Sequence, residues 1–266
     1  MKNVLYKCKN HGIQELEEVE IDTKDYNLLF KLKCGCTQIL DIPLKNFTDK
    51  KMLPIKNWKT PCSKIQEQSF GRFHVKKRMQ PSNGTSKINS MGYHLAAYSE
   101  NTEITILREG EEDDIKDIWM SDSPNEYYAM CDIVSRIKPP NVLIGGLGLG
   151  LLIQLCLLRN DIKKITVVEK SPEVIHIIKP YINSPKVDIF NEDFIDYLSK
   201  KPEQHFTTII ADIWKGPIDD KESYDTAAKC LEEMIKNYPD SCYLFWLFQQ
   251  DIDEYYISNN FNWKKI

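Results

Sequence analysis

Two sets of residues have the types and spacings to do chemistry. One is Cys8, His11, Cys34 and Cys36, in the segments "CKNH" and "CGC". Each segment offers two soft donors close together, and two such pairs brought face to face can close a tetrahedral zinc site. The alternative is a set of unrelated cysteines in a small β module, with His11 merely solvated. The other set begins in "NVLIGGLGLG", where Gly145, Gly146, Gly148 and Gly150 follow an apolar run. Glycines after a strand allow unusual φ angles and let the backbone approach a ligand, with Leu147 and Leu149 turned to the core.

Three carboxylates continue the second set. Glu169 lies 19 residues beyond Gly150, at the end of "KITVVEK" and beside Lys170. A carboxylate there can accept hydrogen bonds from both ribose hydroxyls of an adenosine ligand. Asp193 in "FNEDF" is placed to contact an adenine amino group, with Phe194 available to pack on the ring. Asp212 in "TIIADIW" falls beside the same crevice. Glu126, Tyr127 and Trp214 are candidate walls of a substrate pocket, and any of them can equally be packing.

These residues need elements to hold them. "IQELEEVEI" and "YNLLFKLK", joined by "DTKD", read as a β-hairpin that brings "CKNH" and "CGC" together. "GRFHVKKRM", "GYHLAAYS" and "TEITILRE" predict a second β-rich module over about 60–120, with "REGEEDD" as an exposed loop. His74, Lys76, Lys77 and Arg78 give it a basic cluster, read first as a solvated strand face and second as a contact for an anionic substrate. A helix is expected over 126–137. Beyond it, apolar strands alternate with helices through "NVLIGG", "KITVVEK", "KVDIFN", "FTTIIADIW" and "CYLFWLFQ". That alternation predicts a doubly wound, Rossmann-like parallel sheet covered on both faces. The expected division is a zinc-ribbon-like β module at 1–46, a β-rich domain at 47–120 and a Rossmann-like cofactor-binding domain at 121–266.

Composition narrows the function classes. A chain of 266 residues can bury a sizeable core. Its net charge of −4 gives no global basic field for nucleic acid or anionic lipid. The run from Val142 to Leu158 is marginal for a membrane span and contains Gln154, so it reads as strand, turn and helix instead. The N-terminal residues lack a secretory pattern, so a cytoplasmic protein with reduced cysteines is expected. Cys131, Cys156, Cys230 and Cys242, in apolar or helical sequence, are expected as small buried hydrophobes.

"VLIGGLGLG", "ITVVEKSPEVI", "NEDFIDYL" and "IIADIW" together resemble class I S-adenosylmethionine-dependent methyltransferases, and within them the spermidine-synthase-like branch. The likeness covers about 119–250 and includes "WMSDSPNEYY"; the β-rich 60–118 region resembles that branch's N-terminal β domain, and the Cys/His pairs resemble a zinc ribbon. The resemblance implies S-adenosylmethionine as cofactor, with Gly146, Gly148 and Gly150 as its loop, Glu169 on the ribose, Asp193 on the adenine and Asp212 beside the reacting centre. It implies a transferase, foremost a methyltransferase; an aminopropyltransferase using decarboxylated S-adenosylmethionine, or a non-catalytic binding module, are the alternatives. A nucleic acid or protein partner through the ribbon-like segment is a further expectation, and a membrane is not. The sequence departs from both enzyme patterns: Leu147 and Leu149 flank Gly148 where aminopropyltransferases have a loop aspartate, and Ile144 stands where methyltransferases usually have an acid. "DIWKG" follows the fourth strand in place of an "NPPY"-like tetrapeptide.

Overall fold

The computed structural model describes residues 5–8, 10–21, 28–39, 53–82, 85–88, 94–98, 100–110, 118–200, 203–214 and 221–246. In chain order its strands begin with β1 (Leu5–Cys8), β2 (Gly12–Ile21), β3 (Leu28–Leu32), β4 (Thr37–Ile39) and β5 (Leu53–Ile55). They continue with β6 (Gln68–Phe70), β7 (Phe73–Gln80), β8 (Thr85–Ile88), β9 (His94–Tyr98), β10 (Thr102–Glu109) and β11 (Ile118–Ser121).

β2 and β3 pair antiparallel, as the hairpin pattern predicts, and β1 and β4 flank them. Because β2 and β3 run in opposite directions, the β1–β2 turn and the β3–β4 turn fall at the same end of the sheet. The amide of Lys33 donates to the carbonyl of Glu15 at 2.9 Å and ties those turns together. The same sheet continues through β5, β9 and β8, so it carries strands from both sides of position 46/47. A four-stranded sheet, β11-β10-β7-β6, holds the rest of the β-rich region.

The remaining half alternates as expected: α1 (Pro124–Arg136), β12 (Asn141–Gly145), α2 (Leu151–Leu157), β13 (Lys164–Glu169), α3 (Pro172–Ile178), β14 (Val187–Asn191), α4 (Phe194–Ser199), β15 (Thr208–Ala211), α5 (Lys221–Asn237) and β16 (Cys242–Phe245). Its five strands are parallel in the order β14-β13-β12-β15-β16. β12 and β15 lie inside, covered on both faces, and their apolar residues Val142, Leu143, Ile144, Ile209 and Ile210 are buried. Strand order reverses direction at β12, the switch point where ligands sit in such sheets.

The glycine-rich run is thus one central strand and one short helix, not a span, and among the described residues no helix is long and apolar enough to cross a membrane. Cys156, Cys230 and Cys242 are buried in the core and Cys131 is half-buried. Residues 247–266 fall outside the described residues, as do most of "REGEEDD" and all of 215–220.

Candidate functional site

A cleft of about 640 Å³ opens at the carboxyl edge of the parallel sheet, roofed by residues of β7, β10 and β11. The structure brings Gly146, Gly148, Glu169, Lys170, Asp193, Phe194, Asp212, Trp214 and Glu126 to its lining.

Gly146 is required by space as well as by conformation, and Gly148 by conformation, with φ at +49°. At Gly146, φ is +94° and an added Cβ would lie 2.0 Å from the carbonyl oxygen of Asp212. At Gly148 it would lie 2.6 Å from the sulfur of Met120. Gly145 packs under the Phe194 ring, and Gly150 starts α2 in the left-handed region; neither lines the cleft, and Leu147 is buried beside them.

Four amides of the loop are already engaged. Gly146 N–H donates to the carbonyl of Val168, Leu147 N–H to Glu169 Oε2, Leu149 N–H to the Met120 sulfur at 3.2 Å, and Gly150 N–H to the carbonyl of Leu147. A loop that cradles phosphates presents such groups outward. This one turns those four inward and offers close approach.

Glu169 accepts from Leu147 N–H and, through its other oxygen, from Ser171 N–H, both at 2.8 Å. Burial pushes its carboxyl up, and those amide donors oppose the rise. Each oxygen retains a second acceptor direction, so the carboxylate can hold its loop and still receive two hydroxyls. Asp193 caps α4 by accepting from the amides of Ile195 and Asp196, and pairs with Lys170 Nζ at 3.0 Å. Against partial desolvation, Lys170 and those amides hold its carboxyl below the usual range.

The opposite end of the cleft is differently built. Burial, followed by the charge of Glu169, pushes Asp212 up to about 7. Burial and then Asp212 push Glu126 well above the usual carboxylate range. Glu126 Oε2 is sealed from solvent with no hydrogen-bond partner among the described residues, and the indole N–H of Trp246 is in the same condition. Trp214 stacks on Phe245, centroids 6.1 Å apart, and donates its own N–H to the carbonyl of Trp246.

Tyr127 corrects an expectation. It is 1% exposed, meets Trp58 edge-on at 5.4 Å and is absent from the cleft lining. Successive helical residues point about 100° apart, so α1 cannot turn both Glu126 and Tyr127 to one cleft. Sequence reasoning missed Met120, Arg72 and Trp246. Trp246 was recoverable: β16 pairs in register with β15, Ala211 opposite Phe245, so the residue after each strand reaches the same edge. Met120 and Arg72 come from the β module and carried no such signal. Of the basic cluster, Lys77 is drawn inward, donating to the carbonyl of Ser63 and to Thr105 Oγ1.

The second set of ligands also assembles. Sγ of Cys8, Cys34 and Cys36 and Nδ1 of His11 lie within 4.8 Å of one another. Cys8 to Cys34 is 3.8 Å, Cys8 to His11 is 3.7 Å and Cys36 to His11 is 3.4 Å. A tetrahedron with zinc–sulfur and zinc–nitrogen bonds of ordinary length has sulfur–sulfur edges of about 3.8 Å and sulfur–nitrogen edges of about 3.6 Å. The donor set and its spacing fit a four-coordinate metal ion with no open position.

No family model and no curated protein matches the sequence. Similar solved structures include spermidine synthase in complex with the transition state analogue AdoDATO, at 16% identity over 51% of each chain with a TM-score of 0.36. The SAH-bound methyltransferase PaMTH1 of Podospora anserina is 17% identical over 47% of this chain and 53% of its own, TM-score 0.37. Human methyltransferase-like protein 13 in complex with SAH is 14% identical over 50% of this chain and 67% of its own, TM-score 0.35. The match spans about half the length of the spermidine synthase. At these levels of likeness the functional reading rests on the site itself.

Proposed function

We propose that this protein is an S-adenosylmethionine-dependent transferase, foremost a methyltransferase. The observation that carries the reading is the succession of strand ends on one cleft: the glycine loop after β12, Glu169 after β13, Asp193 after β14 and Asp212 after β15. The inward-turned loop amides and the acidic lining disfavour a pyrophosphate-bearing dinucleotide and suit a phosphate-free nucleoside. In this reading Glu169 receives the ribose hydroxyls, Asp193 receives the adenine amino group, Phe194 and Lys170 border the ring, and Gly146 and Gly148 leave room for the nucleoside. The bound cofactor supplies an electrophilic methyl group on a positively charged sulfur. The chain's part is to hold an acceptor in line with it, with Asp212 orienting the acceptor or taking its proton. Glu126 beside Asp212 favours a second reading, transfer of an aminopropyl group to an amine from decarboxylated S-adenosylmethionine.

In this reading residues 121–266 form the cofactor-binding unit, and 1–46, a zinc-stabilised ribbon, joins 47–120 in its β-rich partner through the pairing of β2 with β5. Zinc fits because a closed Cys3His set leaves no coordination position for chemistry and stabilises a segment with little core of its own. Titration calorimetry with S-adenosylhomocysteine tests the cofactor, with micromolar binding expected; no binding overturns it, and preference for the decarboxylated cofactor over S-adenosylmethionine selects the second reading. Elemental analysis tests the metal: about one zinc per chain, lost in Cys34→Ser. A metal-free preparation melting at the same temperature as the metal-loaded one refutes the structural role.

A further inference from the structure

We infer that the β15/β16 end of the cleft is a subsite for a small acceptor molecule that carries both an amino group and an oxygen able to accept a hydrogen bond. The inference rests on the transferase reading for the word acceptor, and on the geometry for the rest.

The sheet order divides the cleft. Glu169 and Asp193 follow β13 and β14, on one side of β12; Asp212 and Trp246 follow β15 and β16, on the other. Adjacent strands lie about 4.8 Å apart, so β14 and β16, four steps apart, are separated by roughly 19 Å. A nucleoside at the Glu169 and Asp193 end leaves the far end to another molecule.

Two unmet needs lie at that far end. Glu126 Oε2 requires a donor, and Trp246 Nε1 requires an acceptor. A buried polar atom left without a partner costs about 1–3 kcal/mol, more for a charged one, so such atoms mark a place that a ligand completes. Charge then selects the donor. Glu126 and Asp212 face one space, while the two cations of the described lining, Arg72 and Lys170, are each paired elsewhere, with Glu109 and Asp193. A protonated amine supplies both the hydrogen bond and the missing positive charge, and Trp214 and Trp246 line the same cleft. Trp246 N–H rejects a ligand that offers only donors. An amine bearing a carbonyl or hydroxyl oxygen meets both needs; a simple alkylamine meets one.

The test uses the whole chain saturated with S-adenosylhomocysteine and three probes of similar size: glycinamide, propylamine without the oxygen, and acetamide without the amine. Dissociation constants come from ligand-observed NMR. Glycinamide is expected to bind about tenfold more tightly than acetamide and about threefold more tightly than propylamine, the ratios for a charged and a neutral hydrogen bond. Glu126→Gln removes the first preference and Trp246→Phe the second; the probe ranking on the parent protein is a test in its own right if either variant melts early. Equal binding of the three probes, or variants that keep the parent ranking, overturns the subsite. If S-adenosylhomocysteine does not bind but the ranking holds on the free protein, the cofactor reading falls and the subsite stands.

Discussion

At the β13/β14 end of the cleft the protein has already engaged its own polar groups. Both oxygens of Glu169 and both oxygens of Asp193 accept hydrogen bonds from the chain before any ligand arrives. At the β15/β16 end, Glu126 Oε2 and Trp246 Nε1 are buried without partners among the described residues, and burial pushes Asp212 up to about 7. The first end is a preformed cradle whose ligand adds hydrogen bonds to an already satisfied frame. The second stores unfavourable free energy that only a ligand relieves, and such storage is typical of places where stability is traded for function.

The contrast breaks most visibly at the cradle's hinge. Gly146→Ala forces a Cβ to 2.0 Å from a backbone oxygen at positive φ, so a loss of at least about 3 kcal/mol in stability and no measurable S-adenosylhomocysteine binding are expected by denaturant titration and calorimetry. Glu169→Ala removes the anchor of Leu147 N–H and the proposed ribose acceptor together, so S-adenosylhomocysteine binding is expected to weaken by about a hundredfold, as two hydrogen bonds to a charged group suggest; unchanged affinity removes the ribose role.

Asp212→Asn acts in the opposite sense on stability. The aspartate ionises at about 3.8 in an unfolded chain and at about 7 in the fold. Its protonated form is therefore favoured by folding, so that contribution is full below pH 4 and is lost as pH rises through 7. Asparagine is exempt from that loss: the variant should match the parent near pH 4 and exceed it by a few kcal/mol at pH 8. A variant less stable than the parent at pH 8 would mean that Asp212 has a stabilising partner. Smallest of all is Asp193→Asn, which keeps a good helix cap and loses only an exposed ion pair to Lys170; under about 1 kcal/mol is expected by thermal melting.

Much of the parallel half was legible because each of its features is local. The apolar run before Gly145, the spacing to Glu169 and the carboxylates closing β14 and β15 are written in consecutive residues. The metal-ligand cluster was legible for the same reason, its two pairs lying at the ends of one hairpin. What escaped depended on distant pairing. No local pattern announces that β5 and β9 extend the hairpin's sheet, nor that Met120 reaches the glycine loop from another sheet. Glu126 and Tyr127 were indistinguishable as letters and separated only by the turn of a helix.

The contact between Met120 and the loop has a consequence for how this fold can be taken apart. Leu149 is held on both sides by the β module, its N–H by the Met120 sulfur and its carbonyl by the Cys62 thiol at 3.6 Å. The glycine turn is therefore not a portable cassette belonging to residues 121–266. Excised, that half would keep its strands and lose the outside grip that sets the shape of the loop. An engineered version of the turn therefore has to carry Met120 and Cys62 with it.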